Sequence, residues 1–168
     1  MNSALLVNIS RFVLLLAIQI IIFNNMNFLG YISPFPYILF IILYPVNGNK
    51  SGLIASSFLL GITLDLFSNS GGIHATACLV LAYLRPSLFK FAFGLSYEYQ
   101  TIRLNDVVTP QRFTFIFLSV IIHHFTLFIL EAFQLSYILD TLITTVLSTT
   151  FTIILCIIII YLIKPNKR

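Results

Sequence analysis

Long apolar runs, broken only by short polar stretches, cover most of this chain. Residues 6–23 and 141–163 form the clearest runs, and after Arg11 the only strongly polar residue inside the first of them is Gln19. A helix needs about 20 apolar residues to cross the hydrocarbon core of a bilayer. Charged residues make up 8% of the 168 residues, whereas soluble domains carry about 25%. The sequence therefore predicts an all-α integral membrane protein.

The runs predict six transmembrane helices in one domain, 1–168, because no repeat or low-complexity linker divides the chain. The predicted helices cover residues 6–23, 35–46, 52–67, 73–89, 113–133 and 141–163. The second run has about twelve residues, roughly 18 Å as a helix, which is short for a bilayer core of about 30 Å. It must therefore begin earlier, tilt, or be shielded by its neighbours. The first run resembles a signal peptide, but no small-x-small cleavage site follows it, so we predict a retained helix.

The basic residues set the predicted orientation of these helices. With six helices and both termini in the cytoplasm, every Lys and Arg falls on the cytoplasmic side, as the positive-inside rule requires. These residues are Arg11, Lys50, Arg85, Lys90, Arg103, Arg112, Lys164, Lys167 and Arg168. Asp65, Glu131 and Asp140 then lie toward the outer face. The longest polar stretch, 90–112, is predicted to be the extramembrane surface that meets a partner.

Asp65 is the most unusual polar residue, because it lies in an apolar run about one turn before a cluster of Ser, Asn and Gly. An ionised carboxylate is costly there unless hydrogen-bond donors receive it. The donors that the sequence offers are the backbone amides of 68–72 and the first free N–H groups of the following helix. We therefore interpret Asp65 as a clasp between two membrane helices. The other interpretation, a contact with a proton, an ion or a partner, stays open.

Three histidines and one glutamate also lie in or beside the apolar runs. Of His123, His124 and Glu131, only the last two share a helix face, and they are about 10 Å apart in height, too far to bind one metal ion. Neutral histidines that hydrogen-bond within the bundle or to a partner are the favoured interpretation. Glu131 lies near the outer helix end, where it can reach water. His74 begins the fourth helix, where it could pair with Asp65.

The remaining reactive residues indicate neither a redox centre nor catalysis. Cys78 and Cys156 lie inside apolar runs without metal-ligand spacing, so we interpret them as small packing residues. Nucleophile-elbow, phosphate-loop and zinc-protease motifs do not occur in the sequence. Thr141, Thr145, Ser148 and Thr152 follow helical spacing, so they share one face of the sixth helix and favour close packing between helices.

One set of polar positions resembles the rod shape-determining protein MreD family. The best part of this pattern combines a glycine-bounded turn with a following Leu-Ala-Tyr-Leu-Arg-Pro stretch. Its residues are Gly61, Asp65, Ser68, Gly72, His74, Ala75 and the stretch 81–86. Arg11 at the start of the first helix, the segment 35–45, and the stretches 122–124 and 130–133 also resemble that family. A departure is the doubled Gly71-Gly72, where the family pattern leads us to expect one bulkier residue before the glycine.

The resemblance implies a non-catalytic subunit of the bacterial elongation (rod) complex in the inner membrane. Such a subunit works with MreC, and through it with the MreB filament, the peptidoglycan polymerase RodA and the transpeptidase partner of RodA. The implied fold is similar to the six-helix substrate-binding subunit of energy-coupling-factor transporters. The resemblance implies no catalytic residue, cofactor or metal. The structural or partner-binding candidates are Gly61, Asp65, Ser68, Gly72, His74, His123, His124 and Glu131.

A small-molecule-binding subunit of a membrane transporter is the alternative function, prompted by the implied fold and by the polar residues within the membrane. Transporter subunits of that type dock on their transport module through small residues of the first helix. The first helix here, over 12–22, has no Ala-x-x-x-Ala pattern, which counts against this alternative.

Overall fold

The computed structural model describes residues 3–26, 32–94, 108–132 and 138–163. Within these ranges the chain is almost entirely helical and has no β-strand. The α-helices are α1 (Ser3–Ile21), α2 (Leu39–Ile42), α3 (Lys50–Ser68), α4 (Ile73–Phe93), α5 (Pro110–Ala132) and α6 (Ile138–Leu162). Short 3-10 turns at Phe23–Asn25 and Pro36–Ile38 follow α1 and precede α2.

Five of these helices are long and apolar enough to cross a membrane: α1, α3, α4, α5 and α6. The sequence predicted that the second of six membrane-spanning helices covers 35–46. In the structure, α2 and its preceding 3-10 turn cover only Pro36 to Ile42. Pro36 opens the 3-10 turn, where its missing N–H is tolerated, and Leu43 already leaves the helical conformation. The prediction of six helices of membrane-spanning length is therefore reduced to five.

The short stretch around α2 lies in the middle of the bundle. Tyr37, Ile38, Leu39 and Ile41 have no exposed surface. Shielding by neighbouring parts of the chain therefore accounts for its short length. We refer to residues 33–44 as the central segment.

The central segment runs antiparallel to α1 and returns the chain to the start of α3. Gln19, near the end of α1, contacts Pro34, and Arg11, nearer its start, contacts Leu43. Asn24, just after α1, donates to Ser68 at the end of α3, so α1 and α3 point in the same direction. The chain therefore enters the central segment at one end of the bundle and leaves it at the other.

The helices α3, α4, α5 and α6 pack against one another in chain order, and the short connection 69–72 makes α3 and α4 antiparallel neighbours. These two helices approach closely, since a Cβ added to Gly61 would lie 2.4 Å from the Cα of Ala75. Glycine at residue 61 therefore allows the two backbones to touch. Phe89 of α4 and Phe115 of α5 contact each other farther along the bundle, with ring centroids 4.2 Å apart.

Most predicted helix ends move by two to four residues. The predicted first helix, 6–23, begins and ends earlier, and 52–67 is extended at its start by the Asn49 cap, whose side chain accepts the Ser51 amide. The fourth helix continues through Pro86 to Phe93 rather than ending at 89. The predictions for 113–133 and 141–163 begin three residues too late. Most of the predicted partner surface, 95–107, and the basic tail, 164–168, lie outside the described residues.

Candidate functional site

Asp65 joins the end of α3 to the start of α4. Its carboxylate accepts the backbone N–H groups of His74 and Ala75, each at 2.9 Å, and the hydroxyl of Ser70. The side chain is only 4% exposed. Free N–H groups in the first turn of a helix carry partial positive charge and favour an anion. The geometry therefore agrees with the clasp and with the predicted donors at the start of α4, whereas the turn contributes the Ser70 hydroxyl rather than the predicted backbone amides of 68–72.

The turn between α3 and α4 contains three residues with positive φ angles, a backbone conformation that most residues rarely adopt. Asn69, Gly71 and Gly72 have φ values of 52°, 65° and 98°. Asparagine and glycine are the residues that adopt this left-handed region at least cost. The doubled glycine, which departs from the resemblance, is explained because a bulkier residue at 71 would be strained. Ser68 ends α3 and accepts the Asn24 amide at 2.9 Å, which ties α1 to this turn.

His74 takes part in a second cluster through its ring. Its backbone N–H binds Asp65, whereas its ring Nδ1 lies 2.9 Å from the Tyr37 hydroxyl. The same hydroxyl lies 2.8 Å from His123 Nε2. The possible pairing of His74 with Asp65 is therefore made by the backbone N–H of His74, while its ring contacts the central segment. Tyr37 bridges α4 and α5.

The proton positions in this bridge follow from the donors and acceptors available. His123 Nδ1 is buried and has no hydrogen-bond partner among the described residues. A buried N–H without an acceptor is rarer than an unfilled acceptor, so we assign the ring proton of His123 to Nε2. His123 then donates to the Tyr37 hydroxyl, which donates in turn to His74 Nδ1. Both rings are neutral in this arrangement.

His124 forms a parallel link from α5 to α6. Its Nδ1 lies 2.9 Å from the Val120 carbonyl and therefore carries the ring proton. Its Nε2 accepts the Thr152 hydroxyl at 3.1 Å. The Thr152 oxygen also accepts the backbone N–H of Phe35 at 3.2 Å. A neutral His124 is thus satisfied at both nitrogens, and the link ends on the central segment.

Other polar side chains of the surrounding helices also bind the central segment. At the start of the central segment, Ser148 of α6 accepts the Ser33 amide, and Gln19 of α1 donates to the Pro34 carbonyl.

At the end of the central segment, two arginines bind backbone carbonyls. Arg85 of α4 donates to the carbonyls of Ile42 and Tyr44, and Arg11 of α1 donates to that of Leu43. Buried backbone groups outside regular structure require such partners, especially in lipid. Four helices, α1, α4, α5 and α6, therefore supply polar groups to one short stretch of chain.

The geometry does not suggest a metal site around the histidines. The described residues contain no group of three or more His, Cys, Asp or Glu side chains that could hold a metal ion. His124 is fully buried, whereas Glu131 lies two turns farther along the same helix, near its end, and is exposed. The two side chains therefore do not converge on one site. Cys78 and Cys156 are free and buried, as predicted for packing residues.

Sequence reasoning found part of the polar cluster and missed its centre. The buried face of α6 was predicted, since Thr145, Ser148 and Thr152 are all buried. Tyr37 and Arg85 were not singled out as site residues. A hydroxyl in the shortest apolar run and an arginine inside a membrane helix were the available signals.

The chain was compared with protein-family models, curated proteins and solved structures. No family model, curated protein or solved structure shows a significant match to the chain.

Proposed function

We propose that this protein is a non-catalytic, multi-pass subunit of the bacterial elongation complex, acting as the MreD family does. It would hold MreC in the inner membrane and thereby link the MreB filament to RodA and its transpeptidase. The observation that carries this proposal is the convergence of the buried polar side chains on the central segment. A scaffold needs its polar residues to fix one bundle shape, and here they hold the backbone of that segment.

The resemblance to the MreD family gains support from the positions of its motif residues. Gly61, Asp65 and Ala75 meet at one joint between α3 and α4, where Gly61 permits the close contact and Asp65 accepts the Ala75 amide. These three motif residues thus all contribute to the contact between α3 and α4. Such a joint would fix the angle between two helices on which a partner docks.

The outer faces of the helices suit partners that lie within the membrane. Large apolar side chains are exposed along the long helices, where lipid or another transmembrane helix can cover them. Examples are Val13 of α1, Leu66 of α3, Tyr83 of α4, Phe125 of α5 and Val146 of α6. Van der Waals contact between such faces drives helix association in lipid. The MreC membrane helix is the partner that we propose for one of them.

The proposed topology has six membrane crossings, with the central segment as the second and both termini in the cytoplasm. The parallel directions of α1 and α3 support it, because the chain between them has to return across the bundle. All basic residues then lie on one side, in keeping with the positive-inside rule.

Co-purification tests the proposed partners. The tagged protein is extracted in mild detergent from its native cells, and the bound proteins are identified by mass spectrometry. We expect MreC and wall-synthesis proteins to exceed their level in a control purification of an unrelated six-helix membrane protein with the same tag. Recovery of a transport ATPase module, or of a bound small molecule without wall proteins, would instead support the transporter alternative.

Depletion of the protein tests the proposed role in cell shape. We expect rod-shaped cells to become round as lateral insertion of peptidoglycan loses its direction. Unchanged cell width and unchanged sites of wall insertion after complete depletion would contradict a role in elongation. Restoration of rods by the intact chain, expressed from a second copy, is the control.

A further inference from the structure

One side of α4 points away from the bundle along the length of the helix. Its residues recur at alternating spacings of four and three, so they share one helix face. They are Thr76, Val80, Tyr83, Ser87 and Lys90. All are exposed except Val80, which is partly exposed, whereas Cys78 and Leu81 on the opposite side are buried. We call these five residues the outer face of α4, and it is open to lipid or to another membrane helix.

Tyr83 places a hydroxyl group at the middle of this face. It is the central residue of α4 (Ile73–Phe93), about 15 Å from either helix end, and its side chain is 76% exposed. A tyrosine side chain is much shorter than that distance, so the hydroxyl cannot reach the headgroup layer. Tyrosines are favoured near membrane surfaces, where the hydroxyl meets water. Tyr161, the other exposed tyrosine among the described residues, lies at such a place, next to the last residue of α6.

The Tyr83 hydroxyl has no hydrogen-bond partner among the described residues. Other hydroxyls on the outer sides of the helices bind their own backbone: Thr63, Thr126 and Thr150 each donate to the carbonyl four residues earlier. The tyrosine hydroxyl cannot do so, because a rigid ring holds it away from its own helix. An O–H group that faces hydrocarbon without an acceptor costs free energy. The exposed hydroxyl therefore indicates a partner that brings an acceptor to the middle of the membrane, where lipid tails have none.

A helix of another protein fits this face better than a second copy of the chain. Two copies related by an axis along the membrane normal would place Tyr83 against Tyr83 and Lys90 against Lys90. One hydroxyl could then donate to the other, but the second O–H would still lack an acceptor. The two lysine charges would also repel each other. A different helix can supply an acceptor for Tyr83 and an opposite charge for Lys90.

We propose that the outer face of α4 docks a transmembrane helix of another protein, which presents a hydrogen-bond acceptor to Tyr83 and an acidic side chain to Lys90. An amide side chain is a suitable acceptor at this depth, because it is uncharged. The small side chains of Thr76 and Ser87, on either side of Tyr83, allow the two backbones to approach. Lys90 lies in the last turn of α4 and has no ion-pair partner among the described residues. The proposal rests on α4 alone and stands whether or not the partner belongs to the elongation complex.

A designed peptide tests this face in phosphatidylcholine vesicles. The full chain carries a fluorescence donor, and an acceptor-labelled leucine–alanine helix carries Gln at its centre and Glu near one end. We expect more energy transfer to this peptide than to the same peptide with Leu at its centre. Tyr83→Phe should weaken association with the Gln peptide about threefold, which corresponds to about 0.6 kcal/mol for a hydrogen bond between membrane helices. Tyr161→Phe, the matched control, removes an exposed hydroxyl from the end of α6 and should have no effect.

Two further measurements locate the peptide. A peptide cysteine one turn from the central Gln should form a disulfide with Ser87→Cys and not with Val146→Cys, which is exposed on α6. Native Cys78 and Cys156 are buried and do not compete. Lys90→Gln should weaken association with the peptide that carries Glu and leave unchanged a peptide that carries Gln in its place.

Three outcomes would overturn the proposal. The first is equal energy transfer from the wild type to the peptides with Gln and Leu at the centre. The second is an equal loss in Tyr83→Phe and Tyr161→Phe, which would remove any special role of the hydroxyl on α4. The third is energy transfer between donor-labelled and acceptor-labelled copies of the chain that Tyr83→Phe abolishes, which would assign the face to a second copy. Circular dichroism of each variant verifies that its helices are intact.

Discussion

Asp65 can stay buried in an apolar bundle because of where its carboxylate points. At the end of α3 the helix dipole disfavours a negative charge, but the first N–H groups of α4 favour one. The carboxylate accepts two of these groups and the Ser70 hydroxyl. The favourable contacts with α4 thus offset the unfavourable position on α3, and they exist only while the two helices stay joined.

Substitution of Asp65 separates the need for hydrogen bonds from the need for charge. Asp65→Asn keeps an oxygen for only one of the two amides, because His74 and Ala75 donate to different carboxylate oxygens, and should lower the free energy of unfolding by about 1 kcal/mol. Asp65→Leu leaves both amides buried without an acceptor, at about 1–3 kcal/mol each. We expect a clearly lower thermal unfolding midpoint for the leucine variant in detergent. Equal losses for both variants would show that the charge itself is required.

The local contacts of the candidate site could be predicted from the sequence, and the distant ones could not. Asp65 and its donors are ten residues apart or fewer, so helix and turn patterns placed them together. The Tyr37 hydroxyl contacts His123, which is 86 residues away, and no sequence motif links the two residues. Such a contact depends on how the helices pack, which periodicity does not encode.

At the scale of elements, the central segment relies on the surrounding helices for the hydrogen-bond partners of its backbone. Pro36 and the residues before it keep the first part from being a regular helix, so its backbone groups need outside partners. Side chains of α1, α4 and α6 provide them. The apolar run over 35–46 looked like a membrane helix because full burial within protein and exposure to lipid produce the same composition. The five longer runs were predicted correctly because their length leaves no such ambiguity.

Removal of one of these partners should weaken the whole bundle. Thr152→Val leaves the Phe35 N–H and His124 Nε2 without their partner, so we expect a loss of about 1–3 kcal/mol in the free energy of unfolding. Thr150→Val is the matched control, because Thr150 is exposed and its hydroxyl binds only the Val146 carbonyl of its own helix. That variant should change stability by less than about 0.5 kcal/mol. Unfolding of both variants in the same detergent measures the difference, and equal effects would contradict the anchoring role of Thr152.

The contact between α3 and α4 gives a steric prediction. Gly61→Ala places a Cβ against the backbone of Ala75, which cannot move away without separating the helices, and should cost about 1–3 kcal/mol. Gly52→Ala lies in the same helix, but its Cβ would be 3.1 Å from the end of the Tyr44 side chain, which can rotate. We expect this control to be neutral or to gain up to about 1 kcal/mol from helix propensity. Thermal unfolding compares the two, and equal midpoints would show that the helices are not in close contact at Gly61.

At the scale of the whole molecule, the two ends of the bundle differ in charge and in polar structure. The clasp and the described acidic residues lie toward one end, and the described basic residues lie toward the other. Helices α1 and α3 run in the same direction between these ends. The central segment therefore accounts for the return of the chain, and the side on which each connection lies depends on whether this segment crosses the bilayer.

Cysteine labelling tests this crossing directly. Asn25 and Asn47 are exposed residues on either side of the central segment, and native Cys78 and Cys156 are fully buried, so they give little background. In right-side-out spheroplasts, we expect a membrane-impermeant maleimide to label Asn25→Cys at once and Asn47→Cys only after permeabilisation. Asp140→Cys, at the start of α6, should behave like Asn25→Cys and serves as the outer control. Labelling of Asn25→Cys and Asn47→Cys from the same side would mean that the central segment enters and leaves at one membrane face. The opposite labelling pattern would invert the proposed orientation and place the described basic residues outside the cytoplasm.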